Sequence, residues 1–267
     1  QQGEMFSEAN KAKIRHCQRK PKYEHGIQVP RDHKEALELD RANKNTKWQD
    51  ATRPEMEHMQ TCNVFKDNGH DAPIPDGCKN MRVHLVCDVK HDGCHRARLV
   101  ADGHSTDTPV DSVHSGVVSL RGFHMLVFLA ELNGSETWAT DIASAHLEAC
   151  TKEKVCTKAG PEFGELKGHM LLTDRALHGL RTSGQRWHDR FAACLRKEGF
   201  TPCKAEPDVW LRPNGKTCKC AAVHVDDLAF AVDKPQEFVD ILRDKHNFKL
   251  KGTGPISYHL GANFLRD

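Results

Sequence analysis

The run from Cys220 to Val232 constrains this chain more than any other stretch. It is apolar almost throughout, yet it carries two adjacent carboxylates, Asp226 and Asp227, at its centre, with His224 as the only other polar residue. It is far shorter than the roughly 20 apolar residues of a membrane span. Buried strands are this short, and the acids fall where the chain can reverse, so two strands meeting at an acidic turn are the simplest local fold. Two carboxylates side by side at the end of buried strands repel each other unless a cation, a proton or water screens them. Taken locally, an Asp-Asp turn is an ordinary structural feature.

A third carboxylate raises the chemical reading. Asp141 closes a strand-like segment, Glu136 to Thr140, and precedes the small-residue stretch Ile142-Ala143-Ser144-Ala145. Phosphoryl transfer uses two divalent ions roughly 4 Å apart, one activating the attacking hydroxyl and the other steadying the phosphates, and carboxylates from neighbouring strands can bridge them.

Around these acids the patterning predicts a mixed α+β chain. Residues 82–90 and 95–101 read as two strands joined at His91-Asp92-Gly93, a hairpin carrying Arg96 and Arg98. Ser112 to Asn133 suits a largely buried helix. Ser183 to Gly199 suits a second, capped by Ser183 and ended by Gly199, with Trp187, Phe191 and Leu195 on one face. Pro235 to Phe248 suits a third, with Pro235 in its first turn. Residues 1 to about 45 are polar and weakly periodic, as in a linker or loosely packed segment, and 46–267 hold the patterned remainder.

Composition mainly excludes. At 267 residues and 38% hydrophobic, the chain can bury a real core. It has no apolar run of membrane length and no charged-then-apolar opening, so a cytoplasmic location is expected. The eleven cysteines show no C-x-x-C, and reduced, structural thiols are expected. The eighteen histidines form no H-E-x-x-H or comparable helical pair. A net charge of +2 does not announce nucleic-acid binding, which must come from local placement. The basic sets between Lys11 and Lys22, at Lys90/Arg96/Arg98 and at Lys245/Lys249/Lys251 each read first as solvated faces. The opening Gln and the apolar stretch just before Asp267 suit a piece of something longer.

Six segments then fall in one register. Thr140-Asp141-Ile142-Ala143-Ser144-Ala145-His146-Leu147 resembles the D-V-x-x-A-F/Y-L motif of copia-type retrotransposon reverse transcriptases, and His224-Val225-Asp226-Asp227 resembles their Y-V-D-D. Arg96 to Gly103 is similar to K-A-R-L-V-A-x-G, and Ala176 to Arg181 is similar to L-Y-G-L-K. Arg186-Trp187 and Leu260-Gly261 follow in family order, the whole covering residues from about 46 to 267.

The resemblance implies a right-hand polymerase with palm and fingers, truncated before the thumb, acting as an RNA-directed DNA polymerase. It implies Asp141, Asp226 and Asp227 as catalytic acids, with Asp141, Ile142, Asp226 and Asp227 holding two Mg2+ ions. Arg96, Arg98, Ile142, His146 and Thr182 would meet the incoming deoxynucleoside triphosphate, with Lys90 as a further candidate, and Tyr258 to Phe264 would support the primer end. RNA template and DNA primer are the implied partners, with thumb, ribonuclease H and integrase elsewhere in a Pol polyprotein and a virus-like particle as the setting. A membrane is not implied.

The departures from the family are equally specific. His146 stands where the family has an aromatic residue that packs under the nucleotide sugar and excludes a 2′-hydroxyl. Thr182 replaces a Gln and Gly184 a Pro, while His114, His178, His224, Cys78 and Cys156 fall at usual Tyr positions. Two Tyr against eighteen His and eleven Cys suggest a decaying or edited copy, since single transitions convert Tyr codons to His or Cys codons, with a lineage-specific preference for His as the alternative. The alternative function is therefore a catalytically inactive remnant that at most binds nucleic acid. An unrelated metal-dependent phosphohydrolase stays open as a third reading, separated from the others by whether Asp141 and Asp226 lie on adjacent strands.

Overall fold

The computed structural model describes residues 20–105, 113 and 115–265. The chain opens with a small hairpin, β1 (Lys22–Glu24) and β2 (Ile27–Val29), then helices α1 (His33–Ala42) and α2 (Lys47–Thr61). Strands β3 (Phe65–His70), β4 (Lys79–Asn80), β5 (Val83–Val89) and β6 (His95–Ala101) lead to helix α3 (Leu120–Leu132) and strand β7 (Thr137–Ile142). After β8 (Val155–Lys158) and β9 (His169–Thr173) come α4 (Ser183–Lys197), β10 (Thr201–Pro202), β11 (Val209–Asn214), β12 (Thr217–His224) and β13 (Asp227–Ala231). A short α5 (Pro235–Asp240) runs into a π-helical turn over Ile241–Lys245, and β14 (Leu250–Pro255), β15 (Tyr258–His259) and β16 (Ala262–Asn263) complete the order.

A six-stranded sheet in the order β10-β11-β12-β13-β7-β14 forms the centre of the fold. Side chains alternate across it. Ala221, Val223, Leu228 and Phe230 join one core cluster with Trp187, Phe191 and Leu195 of α4, whereas Cys220, Ala222, Ala229 and Ala231 join another with Phe123, Leu126 and Ala130 of α3. The two helices thus cover opposite faces of one sheet, as the period of two along a strand dictates. A third cluster joins α1, α2 and the β5–β6 hairpin, and a four-stranded sheet β3-β9-β8-β4 flanks it.

The expected hairpin at 82–101 forms in full register, from Val83 opposite Ala101 to Val89 opposite His95. Gly93 takes φ of 78°, and its N–H and that of Lys90 close the loop on Lys90 O and Cys94 O. Helix α4 forms as expected and stops at Gly199, whose φ of 81° lets the Phe200 N–H reach Leu195 O. Its cap differs, because the Ser183 hydroxyl donates backwards to Leu177 O at 2.6 Å instead of capping.

Two helix boundaries need correction. Helix α3 begins at Leu120 rather than Ser112, since Ser119 is extended and its hydroxyl accepts from the Gly122 N–H, an N-cap that residues before it cannot join. Residues 106–112 and 114, including Ser112 and His114, lie outside the described residues. The third helix stops before Phe248. Its last turn widens to i→i+5 bonding, and Asn247 turns left-handed with φ of 59°, which sends the Phe248 ring into the core.

Residues 22–45 are ordered structure rather than a loose linker. The Asp32 carboxylate caps α1 by accepting from the Glu35 N–H, Val29 and Ala36 are buried, and the buried Asp40 carboxylate accepts from the main-chain N–H of Trp48 and Gln49. The sequence signal missed here was one of partners: a polar segment can order when its few apolar side chains and one carboxylate meet a neighbouring helix. Among the described residues the cysteines are free, and burial pushes the thiols of Cys87, Cys194 and Cys220 up to about 12, as inert structural thiols. Among those residues no helix is long and apolar enough to cross a membrane.

Candidate active site

His224 pairs with Asp227 at the end of the β12–β13 hairpin, which leaves Val225 and Asp226 as a two-residue turn. Val225 has φ of 57°, a left-handed conformation that β-branched residues avoid and that the first position of a tight hairpin turn demands. Such strain persists only when the surroundings over-determine it. Here they do: the Trp187 indole N–H donates to Val225 O at 2.6 Å, and the Ile142 N–H donates to Asp226 O at 2.8 Å. The turn is fixed from α4 on one side and from β7 on the other.

Register places the acids together. Asp141 lies directly opposite Asp227 on the neighbouring antiparallel strand, Lys251 lies opposite Asp141 on the edge strand β14, and His224 completes the row beyond Asp227. Cross-strand partners in an antiparallel sheet share one face, so Lys251, Asp141, Asp227 and His224 line one side of the sheet end, with exposed Asp226 at the tip of the turn. Burial pushes the Asp141 carboxyl above its ordinary value, and Asp226 and Asp227 push it further, with Lys251 opposing. Asp227 is likewise raised by burial and by Asp226, with His224 opposing. These are half-buried carboxylates that hold protons too tightly, the electrostatic condition a divalent cation relieves.

The donor set suits a hard cation. Among the described residues no three His, Cys, Asp or Glu side chains converge closely enough to enclose an ion unaided. Mg2+ is ordinarily held by one or two carboxylates completed by water and substrate phosphates, which an open sheet end permits.

The other expected residues divide. The Ile142 side chain is buried in the core beneath the sheet, so only its main chain is available to a ligand. Arg96 and Arg98 point from β6 on the side opposite its buried Ala97 and Leu99, Arg98 exposed and Arg96 half-buried. His146 and His178 stand edge to face with ring centroids 4.9 Å apart. Burial pushes His178 down to about 4, helped by His146 and Arg96 and opposed by Asp226, so its charge environment links the β5–β6 hairpin to the acid turn. Burial also lowers His146, whose Nδ1 is enclosed without a hydrogen-bond partner. Thr182 is buried, and its hydroxyl donates to Glu153 at 2.6 Å. Cys156 is fully buried and Cys78 half-buried.

Two residues of the site escaped the sequence reading. Trp187 was legible as a core position of α4, but its bond to the strained turn depends on which helix face meets the hairpin. Lys251 looked like one member of a solvated basic set, and only strand pairing puts it beside Asp141.

The family model described as reverse transcriptase (RNA-dependent DNA polymerase) matches residues 71–267. The Transposon Ty1-BL Gag-Pol polyprotein of Saccharomyces cerevisiae is 25% identical over 205 residues, 74% of this chain and 11% of that protein. The Truncated transposon Ty1-A Gag-Pol polyprotein of the same yeast is 26% identical over 155 residues, 57% of this chain and 13% of that protein. The chain therefore spans about a tenth of the length of these relatives. Among solved structures, a foamy viral protease-reverse transcriptase in complex with double-stranded DNA aligns over 80% of this chain and 33% of its own, at 12% identity and a TM-score of 0.43.

Proposed function

The chain belongs to the reverse transcriptase (RNA-dependent DNA polymerase) family, in its copia-type branch, and from that premise we propose that the row at the sheet end performs nucleotidyl transfer onto a primer 3′-hydroxyl. The supporting observation is the pairing of Asp141 with Asp227 across adjacent strands, with Asp226 in a turn fixed from both sides. An unrelated phosphohydrolase would use the same acids but gives no reason for the hairpin motifs in register with them.

In this reading the six-stranded sheet with α3 and α4 is the palm and the β5–β6 hairpin belongs to the fingers. Asp141, Asp226, Asp227 and the Ile142 main chain would hold two Mg2+ ions, which when bound supply Lewis-acid activation of the attacking hydroxyl and charge compensation for the triphosphate. The chain's own residues do the positioning. Trp187 and Ile142 keep the acid turn rigid, Lys251 tempers the local negative charge, and Arg96 and Arg98 present guanidinium groups suited to phosphate oxygens. RNA template, DNA primer and deoxynucleoside triphosphates are the corresponding partners.

A second reading, a folded remnant that binds nucleic acid without catalysis, draws support from the enclosed, unpartnered His146 Nδ1 and the commitment of Thr182 to Glu153. Primer extension on an RNA template with Mg2+ decides between them, run on this chain and on one extended by the polypeptide that follows in the Ty1 relatives. Extension that falls by about a thousandfold or more in Asp226→Asn supports the polymerase. Folded protein of both lengths that binds primer-template but never extends it supports the remnant.

A further inference from the structure

Helix α3 has two apolar sides and only one of them is covered. Phe123, Leu126 and Ala130 are buried against the sheet. On the opposite side Leu120, His124, Phe128 and Leu132 follow at four-residue steps, with Arg121, Met125 and Glu131 beside them, all exposed. Leu120, Phe128 and Leu132 are 65%, 63% and 67% exposed, where a helix on a sheet ordinarily turns polar residues to water. The neighbouring β15–β16 hairpin, seated on Phe123 through His259 and Phe264, adds exposed Tyr258 and Leu265. An exposed apolar helix face of this kind marks a contact site.

We propose that this face docks a second copy of the same chain, α3 against α3, about a two-fold axis. The argument for that occupant is self-complementarity. The face carries one cation near its start, Arg121, and one anion near its end, Glu131. A two-fold axis across the middle of the helix runs the two copies antiparallel and brings the Leu120–Arg121 end of each against the Glu131–Leu132 end of the other. Opposite charges then meet twice, and the rings of His124 and Phe128 come together at the centre. A parallel pairing sets Arg121 against Arg121 and Glu131 against Glu131. The four-residue ridge through Leu120, His124, Phe128 and Leu132 is also the ridge used in the commonest class of helix crossing, near about −50°. An interface built on one helix sits at the small end of stable association, so the dimer dissociates on dilution.

Sedimentation velocity of the chain from about 1 to 100 μM tests this. Reversible dimerisation is expected. Phe128→Glu abolishes it with an unchanged circular dichroism spectrum, and Arg121→Glu or Glu131→Arg alone weakens it by about tenfold or more through like-charge contact. The combined Arg121→Glu/Glu131→Arg variant recovers the wild-type midpoint to within about threefold, because each reversed end again meets its opposite. A chain that stays monomeric throughout, as it does if another segment or protein is the occupant, overturns the proposal. So does a double variant as weak as either single one.

Discussion

The two faces of the central sheet are built on different scales. Toward α4 the strands present Trp210, Val223, Leu228 and Phe230, which interlock with Trp187, Phe191, Phe200, Phe238 and Phe248. Toward α3 they present Cys220, Ala222, Ala229 and Ala231, and the helix answers with Phe123, Leu126 and Ala130. One face is a thick aromatic layer and the other a thin one on which a helix sits close to the strands. The thick side takes its stability from large side chains that leave cavities when trimmed, and the thin side from small ones that leave no room for addition. The thick side also reaches the acid turn, through the Trp187 indole.

Trimming the thick side gives the largest expected effect. Trp187→Ala should lower stability by about 3–5 kcal/mol in urea titration, and Trp187→Phe should cost far less, about 1 kcal/mol, through the lost bond to Val225 O. Filling the thin side comes next: Ala229→Leu should destabilise by about 1–3 kcal/mol, and a neutral result would mean that α3 is not seated on the alanines and would break the contrast.

At the sheet end, beside the turn that Trp187 anchors, the effect is set by charge. Asp141 and Asp227 hold their protons more tightly in the fold than in the unfolded chain, so folding favours their neutral form. Their burden on stability is absent below the ordinary carboxylate range and sets in as pH rises toward their raised values. Asp227→Asn should therefore match the wild type at acid pH and become the more stable protein, in metal-free buffer, as pH climbs through that window. Thermal melts at a series of pH values measure it, and a constant difference at all pH values would contradict the assignment. His178 titrates in the opposite sense: held neutral down to about 4, it favours the fold above its ordinary 6.5 and withdraws that contribution as pH falls. The smallest effect belongs to the uncovered side of α3, where Phe128→Ser should stay within about 0.5 kcal/mol in dilute solution.

Legibility in the sequence followed the same division. The acid hairpin could be read because an apolar run interrupted by two acids admits few local folds, and α4 because Trp187, Phe191 and Leu195 share one face. The start of α3 could not, since Val117 and Val118 continue its apolar pattern while the backbone there is not yet helical. Nor could the left-handed Val225, because its strain is sustained by bonds from Trp187 and Ile142, which are distant in sequence. Lys251 entered the site by strand pairing alone, and no local property of its segment distinguishes it from Lys249.

Asp40 bears on where this chain can be divided. Helix α2 has no side-chain cap of its own at Thr46; its second and third amides are taken by the carboxylate of a buried aspartate in the preceding helix. A fragment trimmed to start at residue 46, the place composition alone would choose, would begin on a helix whose second and third amides are open. Limited proteolysis should accordingly spare the loop between the two helices, and the shortest stable form of this protein should keep the whole of α1.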